Sequence, residues 1–248
     1  PVVQSDVSPQ KVFILGVYAS AVHARWIDKD GKELVKALAV ASEPEIFWRG
    51  DDVQNQINKI IIPDVVGKLV LPARNLNGPS GRALDNLYLN PLGLTRDDVW
   101  LCDLIPETRL NPKQWNAINR SYNQLKSQYS LPKVTIPKYR EAELDYEVRR
   151  EEILNELFQS QADTLILLGD MPIKWFLNFV SENKKGTLNS FGSTPETYGR
   201  IHEIVIVGRK FKLLPLCHPR QAQKLGVSSK MWYELHKSWI ETRLIKQI

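Results

Sequence analysis

Residues 77–106 read NGPSGRALDNLYLNPLGLTRDDVWLCDLIP, and the reading of this stretch decides the fold. Gly78-Pro79-Ser80-Gly81 is a glycine-rich turn, with Pro79 suited to an early helical position. Leu84, Leu87 and Tyr88 follow at helical spacing, until Asn90, Pro91 and Gly93 end the run. Val99 to Leu104 is a short apolar run of strand-forming residues, with Asp103 near its C-terminal end. Together they make a helix–strand unit opened and broken by glycine.

Working outward, three more runs read as buried strands: KVFILG at 11–16, DTLILLG at 163–169 and FKLLPL at 211–216. Four such strands, near 12–16, 99–104, 164–169 and 211–216, alternate with helices. That alternation predicts an α/β fold, with a central four-stranded, mostly parallel sheet covered on both faces as a three-layer α/β/α sandwich. The whole chain, 1–248, reads as one domain.

Between the strands, Val22–Ile27 and Leu34–Val40 flank the turn signal Asp30-Gly31 and predict a hairpin. Asp51 or Asp52 caps a helix through Ile62, with Val53, Ile57, Ile60 and Ile61 on its buried side. Another helix starts near Pro112 and carries Trp115, Ile118, Tyr122 and Leu125, and 131–139 reads as a connector. A charged helix over 141–159 buries Leu144, Val148, Leu154 and Leu157, and its acid–base run is a solvated face. Asp170 caps a helix with Met171, Trp175, Phe176 and Phe179. Residues 182–200 are expected to form a mobile loop. Ile201–Val207 and Lys210–Leu216 form a hairpin about Gly208-Arg209. Ser228 or Ser229 starts a last helix buried through Met231, Leu235 and Trp239.

Composition narrows the class. With 43% hydrophobic and 25% charged residues, the chain is ordinary for a globular protein. It has no apolar run of membrane-spanning length and no signal-like N-terminus, so no membrane partner and a cytoplasmic location are expected. Two cysteines, Cys102 and Cys217, are too few for a disulfide framework or for a cysteine-only metal or iron–sulfur site, and no cofactor or metal is expected. A net charge of +5 permits a polyanionic partner without requiring one. Monomeric behaviour is expected.

In parallel sheets ligands bind beyond the carboxyl ends of the strands. The unusual residues sit there: Gly16 to His23, Asp103 to Arg109, Gly169-Asp170, and Cys217-His218-Pro219-Arg220. These loops are expected to converge on one cleft. His218, fixed between a buried strand and a proline, either caps the next helix or donates a hydrogen bond to an oxyanion. Asp103 either bonds locally to backbone amides or faces a ligand.

Taken in order, these stretches resemble the uracil-DNA glycosylase superfamily. Gly78 to Leu84 resembles that family's G-P-A-G-x-x-L segment, and the strand after it ends in the family's base-reading asparagine, where this chain has Asp103. His218-Pro219 matches a His-Pro loop whose histidine stabilises the departing base, which makes His218 the expected catalytic residue. The resemblance places Gly16, Tyr18, Ser20, Phe47 and Asp103 in a base pocket, and Arg220, Gln221 and Lys224 near the DNA backbone. Leu225 is either a wedge left in the base stack or, more ordinarily, a core leucine. The chain departs from the family in its first loop, where Val17 and Tyr18 replace the usual water-positioning residue and Ala19 replaces proline. An asparagine both donates and accepts, whereas a carboxylate only accepts, so Asp103 predicts an amino-bearing base edge unless it is protonated.

The expectation is a DNA-binding protein of this superfamily that hydrolyses the N-glycosidic bond of a damaged or deaminated base. The alternatives are a non-catalytic nucleic-acid-binding module on the same fold and an α/β enzyme acting on a small nucleotide.

Overall fold

A computed structural model describes residues 1–245 apart from 183, 185, 226 and 227, and without the side chains of 244 and 245. The described residues form eight strands: β1 Val12–Tyr18, β2 Ala21–Ile27, β3 Glu33–Ser42, β4 Lys68–Val70, β5 Val99–Ile105, β6 Thr164–Leu168, β7 His202–Ile206 and β8 Arg209–Leu216. β5, β1, β6 and β8 lie side by side and parallel in that order. β7 closes the edge antiparallel to β8.

The four parallel strands are the apolar runs expected to form the sheet, and their composition explains the burial. All seven residues of β5 are buried, and Phe13, Ile14, Leu15, Leu165, Leu167 and Leu168 are fully so. A strand covered on both faces carries no polar alternation. The sheet nevertheless has five strands instead of four. The extra strand is the first arm of the Gly208-Arg209 hairpin, whose half-buried alternation suits an edge.

β2 leaves β1 after two residues and pairs with β3 and β4 in a separate antiparallel sheet, with Trp26 buried beneath it. This is the expected hairpin, with three register shifts between its arms.

The deciding stretch folds as read. Pro79–Ala83 is helical with Pro79 in the first turn, and the helical run continues through Leu84–Leu89 and Asn90–Leu92 to Gly93. Asn77 pins its start to β2, accepting from the backbone N–H of His23 at 2.7 Å and donating to its carbonyl at 2.9 Å.

Several expectations about the helices are corrected. The helix after Asp52 spans only Val53–Asn58, and Ile61 is exposed. Asp52 accepts from Trp48 Nε1 at 2.8 Å and does not cap. The charged segment breaks at Asp145, and its helix is Glu147–Gln159. Val148 on it is exposed, while Arg149 is buried where a solvated charge was expected. Asp170 is the first residue of its helix, and its carboxylate accepts from Leu188 N at 2.9 Å. Phe179 is exposed. Within 182–200, Leu188, Phe191 and Tyr198 are buried anchors; residues 183 and 185 lie outside the described residues. The last helix, Ser229–Ile245, buries Trp232, Leu235, His236 and Trp239, and leaves Met231 exposed. Among the described residues no helix is long and apolar enough to cross a membrane.

Candidate functional site

The carboxyl ends of β1, β5 and β8 open on one cavity of about 260 Å³. Val17, Tyr18, Ala19 and Ser20 line it from the first loop, Phe47 and Ser80 from the segments beside the glycine-rich turn, and Asp103 from β5. Met171 lines it from beyond β6, and His218 and Arg220 from beyond β8. Three of the four loops expected to converge therefore do so, and the Gly169-Asp170 loop contributes only through the residue after it, Met171.

Gly16 makes the floor possible. It pairs with Asp103 in the parallel register, and a Cβ on it would stand 2.3 Å from Asp103 Oδ1 and 2.9 Å from Phe47 Cζ. Only a residue without a side chain lets both groups reach the cavity. Phe47 itself has φ 51°, a left-handed backbone that costs a non-glycine residue on the order of 1 kcal/mol. Arg96 Nη2 donates to its carbonyl at 2.7 Å and holds that conformation. The strain keeps an aromatic ring against the cavity.

Asp103 is buried, and among the described residues no hydrogen bond reaches its carboxyl group. Burial first, then the neighbouring Glu43 carboxyl, pushes its pKa well above the usual carboxylate range, against the opposing charge of Arg149. Local satisfaction by backbone amides is thus not its role. From behind, Arg149 Nη2 donates to the Asp103 carbonyl at 2.8 Å, and its Nη1 bonds Glu152 and Glu156 at 3.1 and 2.9 Å.

His218 caps the next helix, one of the two functions read from its position. Its Nδ1 accepts from Arg220 N at 3.2 Å, capping the helix Pro219–Ala222. That bond places the proton of the neutral ring on Nε2, the nitrogen left to donate to a ligand. Burial, then the charge of Arg220, depresses its pKa to about 4, so the ring is neutral near pH 7. The strand end below it is bracketed by two buried tyrosines: Tyr198 Oη accepts from Cys217 N at 2.9 Å, and Tyr88 Oη donates to Cys217 O at 2.8 Å. Tyr198 is in turn 2.8 Å from His236 Nδ1 on the last helix.

Tyr18 stacks on Tyr139 with ring centroids 5.1 Å apart. Burial raises the pKa of both hydroxyls, Tyr139 to about 12 with help from Tyr18, so both are neutral donors. Tyr139, Glu43, Ser80, Arg109, Asn111, Gln114 and Met171 complete the wall, and of these only Arg109 belongs to a loop that the sequence placed at the cleft. Asn111 Oδ1 is committed to the backbone N–H groups of Lys113 and Gln114, so its amide nitrogen is the end available to a ligand. Arg109 is paired with Glu143 at 2.6 Å and Glu107 at 3.3 Å.

Of the residues expected to meet DNA, Arg220 is exposed at the cavity mouth, and among the described residues no carboxylate pairs with it. Gln221 is instead committed to the capping box, its Oε1 accepting from His218 N at 3.1 Å. Lys224 Nζ lies 4.0 Å from both Glu234 Oε1 and the Tyr233 ring centroid, and is not part of the cavity wall. Leu225 is 47% exposed, which corrects its reading as a core leucine.

No protein-family model and no curated protein sequence matches the chain.

Proposed function

We propose that the chain is a divergent member of the uracil-DNA glycosylase superfamily, with that family's three-layer sandwich. In this reading it binds DNA, receives one base in the cavity and hydrolyses its N-glycosidic bond. The observation that carries the reading is the convergence of Tyr18, Phe47, Asp103 and His218, from four distant parts of the chain, on one cavity. Its volume lies just under the ~300 Å³ at which drug-sized pockets begin, which suits a single ring system rather than a whole nucleotide. Two aromatic residues offer stacking faces, two carboxyl groups and Asn111 offer edge contacts, and His218 Nε2 offers a donor for charge on a departing base. Arg220, exposed at the mouth and without a carboxylate partner among the described residues, supplies a phosphate contact.

A second reading is a non-catalytic nucleic-acid-binding module. It is favoured by the first loop, where Val17, Tyr18 and Ala19 provide no acid to activate water.

The test is incubation with oligonucleotides carrying uracil, hypoxanthine, xanthine or a mismatch, followed by alkali to cut abasic sites. Cleavage at one of these bases is the expected result and names the base. Salt-dependent binding without cleavage transfers the conclusion to the binding module. Neither binding nor cleavage leaves an enzyme acting on free nucleotides.

A further inference from the structure

The end of β3 brings a second acid to the cavity. Glu43 follows Ser42, which pairs with Ala21, so it stands opposite Ser20 in the first loop. Its Oε2 accepts from Ser20 N at 3.0 Å, its own N–H donates to Ser20 O at 3.2 Å, and Thr108 Oγ1 donates to the same carbonyl at 3.1 Å. Glu43 is only 6% exposed, lines the cavity and has no ion-pair partner among the described residues. A buried carboxyl without a cation is unfavourable unless something uses it.

We propose that Glu43, reaching the cavity from β3, takes the proton of the attacking water, while Asp103 stays protonated beside it and reads the base edge. This rests on the glycosylase reading of the cavity. The water oxygen bonds the anomeric carbon of the nucleotide, and the carbon–nitrogen bond breaks with its electron pair leaving on the base. One water proton passes to the Glu43 carboxylate and then to solvent. His218 Nε2–H meets the charge on the base. The assignment also explains how a first loop without an acid is compatible with hydrolysis: the acid is hydrogen-bonded onto that loop from the neighbouring strand.

Glu43 is the member of the pair that ionises first. Two carboxyl groups in one buried cavity do not both ionise readily. The Ser20 N–H stabilises the Glu43 anion, whereas among the described residues no hydrogen bond stabilises that of Asp103. Burial, with the repulsion of Glu45, raises Glu43 to about 8 even so. The other charged or titratable groups around the cavity are Tyr18 from β1, Asp103 from β5, Arg109 after it, Tyr139, and His218 and Arg220 after β8. His218 stays neutral above about 4, and the tyrosines are shifted upward, so neither titrates near neutrality. A protonated Asp103 both donates and accepts, which restores the two-way edge contact of an asparagine.

Single-turnover cleavage of the same oligonucleotide panel, measured from about pH 6 to about pH 9, tests the proposal. Wild type is expected to speed up by nearly tenfold per pH unit at the acid end and to level off above about pH 8, because the carboxylate is the active form. Glu43→Gln keeps the bond from Ser20 N and is expected to lose roughly 100-fold or more at the plateau, with a flat profile and unchanged DNA affinity. Glu43→Asp recovers part of the rate. A wild-type rate independent of pH, or a folded Glu43→Gln within about threefold of wild type, overturns the proposal and leaves the glycosylase reading standing. A wild type silent on every oligonucleotide overturns both, and the wild-type profile alone decides the matter should the glutamine variant fail to fold.

Discussion

Gly81→Ala is expected to destabilise the protein by at least the ~1–3 kcal/mol typical of overpacking, with a fall in Tm on the order of 10 °C. In an isolated helix the same change would stabilise by about 1 kcal/mol, because alanine is the better helix former. The sign reverses here because Gly81 is buried against backbone. A Cβ would lie 2.2 Å from Phe47 O and 2.3 Å from Trp48 O. The Phe47 carbonyl has little freedom to retreat: Phe47 is already in a left-handed conformation, and Arg96 bonds its oxygen. Thermal unfolding of the variant checks this. A Tm equal to or above that of wild type would mean that the helix does not press on the segment that presents Phe47.

His218→Ala is expected to lower the cleavage rate by roughly 10²–10³-fold, the usual loss for one donor to a developing anion. DNA affinity should change little, because the side chain faces the cavity rather than the phosphates. The variant also removes a helix cap, worth about 1 kcal/mol. His218→Ser separates the two effects, since serine restores the cap and cannot reach the base. Rapid-quench rates of the three proteins decide between them. Recovery of the rate in His218→Ser would reduce His218 to a capping residue, whereas equal loss in both variants assigns it to the chemistry.

The parallel sheet was legible because its signal is local. Runs such as Phe13-Ile14-Leu15 and Leu165–Leu168 permit only a strand covered on both faces. Asp103 and His218 were legible for a related reason: a polar residue at the end of such a run lies at the rim of the sheet. Glu43 was not. Its place opposite Ser20 depends on three register shifts in the β2–β3 hairpin, and a bulge changes pairing without marking the sequence. Tyr139 was hidden similarly, since it sits in a connector without periodicity and is held by backbone bonds to Leu110. Arg149 was misread because its helix is charged on most sides, and composition does not say which charge turns inward to Asp103. Ile61 failed in the opposite direction: the helix stops at Asn58, so the apolar period continues past the structure that would bury it.

The central claim is that the cavity holds a nucleobase, and titration of free bases into isotope-labelled protein, followed by backbone amide shifts, tests it most directly. Saturable shifts at Ser20, Phe47, Asp103 and His218 are the predicted result. A second cavity of about 310 Å³, lined by Trp26, Ile62, Leu69 and Ile136 beside the β2–β3–β4 sheet, serves as the internal comparison. Shifts confined to that apolar cavity, or no saturable shift with any base, would contradict the claim.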